Sequence, residues 1–145
     1  MSLARKASAA MVLALAVAGC GDVKPYVAAI DALRLPSSFE AIKTVTKVGL
    51  DMCFTCPQVH RYYLAEGELT DLRDDVKQAI VDAGYTSVQV GAPTCDINDN
   101  SGLACSISAT MDGIHLLANV YRRDSDVDGL GLSEPGKSTI RIDAW

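Results

Sequence analysis

The stretch GELTDLRDDVKQAIVDAGY, residues 67–85, places Leu69, Leu72, Val76, Ala79, Ile80 and Ala83 at intervals of three and four. Asp71, Arg73, Asp74, Asp75, Lys77, Gln78 and Asp82 fall mostly outside that stripe. The spacing predicts an α-helix with one apolar face. Thr70 is expected to cap its free N–H groups, the early aspartates suit the positive end of the helix dipole, and Gly84 offers a left-handed exit. A helix that is apolar on one side only has to be covered by other elements, and the rest of the chain supplies strands.

TSVQVG, LACSISATM and GIHLLANVYR alternate as strands, the last following the turn signal Asp112-Gly113. STIRIDAW closes the chain with Ile140, Ile142 and Ala144 opposite Arg141 and Asp143. Residues 39–50 set Ile42, Val45 and Val48 among Thr44, Thr46 and two lysines, which reads as a further strand. Residues 57–65, PQVHRYYLA, fit either a strand or a short helix started by Pro57, and nine residues are too few for periodicity to choose. Pro25, Tyr26, Val27, Ile30 and Leu33, ahead of Pro36, predict a short first helix. Strands joined by short turns imply antiparallel pairing, and one helix cannot cover both faces of a sheet. The expected class is therefore α+β: an antiparallel sheet of about four to six strands with one main amphipathic helix on one face and a short N-terminal helix.

Residues 1–19 stand apart. Arg5 and Lys6 precede an apolar run over residues 7–18 that is interrupted only by Ser8, the layout of an export signal. At twelve residues the run is short of the roughly 20 that a permanent helical span needs. Val17-Ala18-Gly19-Cys20 resembles the lipobox of bacterial lipoproteins, and Ala16-Val17-Ala18 also fits ordinary signal cleavage. Cysteine number favours the lipobox: the chain has five cysteines, Cys20, Cys53, Cys56, Cys95 and Cys105. Assigning Cys20 to lipid leaves an even number for disulfides. The resemblance implies cleavage before Cys20, a diacylglyceryl group on its sulfur and anchoring to a membrane on the extracytoplasmic face. The implied organisation is a signal peptide over residues 1–19, a lipidated tether over 20–24 and a single disulfide-stapled domain over 25–145. That last part looks like small uncharacterised lipoproteins of actinomycete type, a resemblance that carries no known activity.

From Cys20 onward the chain has 11 basic and 18 acidic residues, a net charge of −7. Such a surface repels nucleic acid backbones and anionic headgroups, so no nucleic acid partner is expected and lipid, not a basic patch, is the expected membrane contact.

Three motifs bear on chemistry. Cys53-Phe54-Thr55-Cys56 has the spacing of a redox-active pair, and Ala92-Pro93-Thr94 is similar to the proline loop of thioredoxin-like folds. Residues 57–85 are, however, too few for the intervening elements of that fold. The structural reading makes the four cysteines staples: Cys95 and Cys105 flank the loop DINDNSGLA, so joining them crosses adjacent strand ends, and Cys53 then pairs with Cys56. Four cysteines allow three pairings. Cys53, Cys56 and His60 also make a C-x2-C-x3-H set, with His115 as the only other histidine for a fourth metal ligand. DSDVDG matches the first half of a calcium loop through Asp124, Asp126 and Asp128, with Pro135 where the EF-hand has its final carboxylate. Asp96, Asn98 and Asn100 echo it more weakly, and an acidic hairpin loop in water is the favoured reading, since half a motif is common.

No serine-histidine-acid elbow and no phosphate-binding glycine loop is present in the sequence. The leading expectation is a non-enzymatic, membrane-anchored envelope lipoprotein serving as a binding or interaction module, without a cofactor. Tyr62, Tyr63, Tyr121 and Trp145 are its candidate contact residues, with a place in the buried core the equal alternative for each. The alternatives are an extracytoplasmic thiol-disulfide oxidoreductase using Cys53 and Cys56, and a calcium-stabilised binding domain.

Overall fold

In the computed structural model, which describes residues 22–47 and 57–145, the elements run α1 (Lys24–Asp31), β1 (Glu40–Lys47), β2 (Gln58–Ala65), α2 (Leu69–Asp82), β3 (Thr86–Gly91), β4 (Leu103–Met111), β5 (Ile114–Arg123) and β6 (Ser138–Ala144). The six strands form one antiparallel sheet in the order β1-β2-β6-β5-β4-β3. The α+β class, the main amphipathic helix and the short first helix are as the sequence predicts. Residues 57–65 resolve in favour of the strand, because β2 pairs with β1 on one side and β6 on the other. The expected strand over 39–50 is described as far as Lys47. No helix among the described residues is long and apolar enough to cross a membrane.

Alternation along the strands sends Val59 and Tyr63 of β2, Ile140 and Ile142 of β6, Leu116, Ala118 and Val120 of β5, and Ile107 of β4 to one face. There they meet Ile30 and Leu33 from the α1 region and Leu72, Val76 and Ile80 of α2 in the main core. Each such fully buried aliphatic side chain contributes about 1.5–3 kcal/mol by leaving water. The edge strands are less buried. β1 carries Lys43 and Lys47 and an irregular register between Ala41 and Lys43, features that discourage further strand pairing.

The ends of α2 show where local signals hold. Glu68, with extended backbone, occupies the N-cap position and makes no side-chain capping bond, so Thr70, the expected cap, lies inside the first turn. Leu69 packs against the main core, and the helix starts two residues earlier than a cap at Thr70 would place it. At the other end Gly84 has φ +92°, its N–H donates to Val81 O at 2.9 Å and Tyr85 N–H donates to Ile80 O at 3.3 Å. These two bonds are those of a Schellman stop. A Cβ at Gly84 meets nothing closer than the Met111 sulfur at 3.7 Å, so only backbone strain opposes a side chain. Gly84→Ala is therefore expected to lower unfolding free energy by about 1–2 kcal/mol, read from the urea midpoint. An unchanged midpoint would contradict this account of the helix end.

Candidate functional site: a charge network under the strap

Among the described residues no α-helix covers the second face of the sheet. Residues 124–137, between β5 and β6, cross it as a strap that contains a single 3-10 turn, Val127–Gly129. Val127, 1% exposed, plugs onto Tyr62 and Tyr121, with Ile42, Val45, Leu103, Leu130 and Leu132 around it. This smaller apolar cluster fixes the strap, and the next residue, Asp128, is held in a left-handed conformation (φ 57°, ψ 19°) above the sheet. Aspartate tolerates that region better than most residues because its short side chain bonds locally.

Below Asp128 lies the central strand. Register places Arg141 of β6 opposite Tyr62 and Asn119, and Asp143 opposite His60 and Leu117. Arg141 Nη1 donates to Asp128 Oδ1 and Oδ2 at 3.0 and 2.9 Å. Its Nε and Nη2 donate to Asp143 Oδ2 at 3.1 and 3.0 Å. The Tyr62 hydroxyl donates to Asp128 Oδ2 at 2.7 Å. His60 Nδ1 lies 2.7 Å from Asp143 Oδ1, and since a carboxylate only accepts, that nitrogen carries the proton. One guanidinium thus joins two carboxylates, each of which holds a further ring from β2.

Charge balance governs the protonation states. Burial alone would raise the Asp128 carboxyl, but the Tyr62 hydroxyl and the Arg141 guanidinium outweigh it and hold it below the usual carboxylate range. Burial and the bond to Asp128 push the Tyr62 phenol well above its ordinary value. For Arg141 burial works against the charge, and Asp143 and Asp128 more than offset it, so its pKa is raised. The Asp143 side chain is only 8% exposed. Beside the network a cleft of about 340 Å³ is lined by Val45, Lys47, His60, Tyr62, Asp128, Leu130 and Arg141. Its volume is at the low end of small-ligand pockets, and four of its seven lining residues, Lys47, His60, Asp128 and Arg141, are ionisable.

The structure distributes the other sequence candidates differently. Asp124 Oδ1 accepts from Gly136 N, Asp126 Oδ1 from Gly131 N, and Asp128 is committed to Arg141 and Tyr62, so the three carboxylates of the half calcium loop serve three separate partners. Among the described residues no group of three or more His, Cys, Asp or Glu is gathered for a metal ion. Asp96, Asn98 and Asn100 are exposed. His60 and His115 line different clefts, which separates the two histidines of the suggested metal set. Cys95 and Cys105 are bonded to each other. Cys20, Cys53 and Cys56 lie outside the described residues, and with them the lipid site and the C-x-x-C pair. Of the candidate contact residues, Tyr63 belongs to the main core and Tyr62 and Tyr121 lie beneath the strap, while Trp145 remains partly exposed. Arg141 and Asp143 are the site residues that alternation alone assigns to solvent. Two opposite charges at i and i+2 on an otherwise apolar strand were the available signal.

No protein-family model, curated protein or solved structure matches the chain.

Proposed function

We infer that the chain is an exported, lipid-anchored envelope lipoprotein that acts as a non-enzymatic binding module, with the strap-side cleft as its contact site. The observation that carries this reading is the charge network at the cleft floor. Buried ion pairs seldom add net stability over apolar packing, whereas ionisable groups with perturbed pKa values gather at functional clefts. The Cys95–Cys105 bridge supports export, because disulfides persist in oxidising compartments. The lipobox at residues 17–20 supports the anchor, and a diacylglyceryl group on Cys20 supplies the two acyl chains that stable anchoring requires.

The test is a photo-crosslinking residue placed at Lys47, on the cleft, in the full chain expressed in a bacterium that processes lipoproteins. Membrane-fraction protein with a discrete crosslinked product is expected, and the same group at Val81, exposed on α2, should not give that product. Cys20→Ser should move the chain to the soluble fraction. Wild-type chain in the soluble fraction would remove the anchor, and equal products from both positions would remove the cleft.

A further inference from the structure

On the strap-free part of the same sheet face lies a second, shallower groove of about 230 Å³. Gln89 of β3, Ser108 and Thr110 of β4, His115 of β5 and Trp145 after β6 line it. Register sets Gln89 opposite Ser108 and Thr110 opposite His115. His115 and Trp145 exchange both backbone bonds, at 2.9 and 3.2 Å. Their rings stack with centroids 5.8 Å apart and planes 16° from parallel. Backbone pairing and stacking together hold the indole in place while it stays partly exposed.

The chemistry of this groove differs from that of its surroundings. The chain carries 13 basic and 18 acidic residues, yet no Asp, Glu, Lys or Arg lines the groove. His115 is the one titratable side chain in its lining. An indole with an electron-rich face attracts weakly positive C–H groups laid flat against it. The groove lining is largely apolar, with Ala109 and Leu116, and adds the side chains of Ser87, Gln89, Ser108 and Thr110, each able both to donate and to accept a hydrogen bond. A ligand that offers a flat C–H face and a rim of hydroxyls, without net charge, satisfies both requirements. We propose that the Trp145 groove binds a neutral saccharide, its ring lying on the indole and its hydroxyls bonded to Gln89, Ser108 and Thr110.

Trp145 is the only tryptophan beside five tyrosines, so emission excited selectively at the indole reports on this groove. The experiment titrates the full chain in detergent with maltotetraose, cellotetraose and the tetrasaccharide of N-acetylglucosamine, and cosediments it with the matching insoluble polymers. A saturable change in Trp145 emission with at least one of them is expected. Gln89→Ala and Ser108→Ala, both at exposed positions, should each weaken that binding about 2- to 10-fold, the span of one lost hydrogen bond, and Val81→Ala should leave it unchanged. Binding to the soluble sugar alone assigns a free oligosaccharide, and retention on the polymer assigns a wall glycan. The proposal is overturned if none of the three sugars changes the emission, or if the two alanine variants bind as well as wild type. It is also overturned if emission changes with protein concentration and not with sugar, which would make a second copy of the chain the occupant.

Discussion

Arg141→Leu is expected to destabilise the domain by about 3 kcal/mol, the low end of the roughly 3–5 kcal/mol that follows when one partner of a buried ion pair is removed. The substitution keeps an aliphatic stem but strips both Asp128 and Asp143 of their shared counter-charge. Asp143 dominates the loss, since its side chain is 8% exposed, whereas Asp128 is 38% exposed and can be rehydrated. The value sits at the low end because His60 still bonds to Asp143. Against a total stability of about 5–15 kcal/mol for an ordinary domain, this is a large fraction. Urea titrations of both proteins would measure it, and adding Asp143→Asn to the variant should recover part of the loss by removing the uncompensated charge. A loss below about 0.5 kcal/mol, the usual range of surface substitutions, would mean that the network is solvated and contributes no more than an exposed pair.

Acid should reduce the difference between the two proteins. Asp128 has a folded-state pKa below its ordinary value, so its pairing contributes fully above the unfolded pKa, about 4, and is lost as pH falls through the lower folded value. Wild type should therefore lose stability relative to Arg141→Leu below about pH 4. A gap that widens in acid would be incompatible with the carboxylate pairing described.

The second large effect concerns the disulfide. Replacing Cys95 and Cys105 together by alanine is expected to cost about 3 kcal/mol, because the bridge closes a loop between residues ten positions apart and restricts the unfolded chain. Both cysteines are buried, and the bridge holds residues 92–102 against β4 while Cys95 Sγ lies 3.6 Å from Leu69 O at the start of α2. Besides a lower urea midpoint, faster proteolysis within residues 96–102 is expected in the double variant, since those residues are mostly exposed and lose their tie. Equal midpoints for wild type and variant would show that the loop is closed by its backbone bonds, such as Ile97 N–H to Ala104 O, without help from sulfur.

Much of this architecture was legible from short-range patterns. Stripe spacing located α2, Gly84 its end, and Asp112-Gly113 the β4–β5 turn. Cysteines on either side of one loop pointed to the bridge. Thr70 has the capping preference but lies inside the first turn, where the partly buried Leu69 packs on the core. The carboxylates of the acidic run at 124–129 accept from turn N–H groups and hold Arg141, partners that lie outside the run's own spacing pattern.

The amino-acid order by itself thus determined the class of the fold, which side of each strand is apolar and where α2 stops, since all three follow from contacts within a few residues. Only the tertiary structure decided that the last strand enters the middle of the sheet between β2 and β5, and that the strap folds back over it. Those two placements bury Asp143 and bring His60, Tyr62, Asp128 and Arg141 together. His60 and Asp143 are 83 positions apart, and pairing at that distance is selected by the summed packing of whole strands, for which no local periodicity exists.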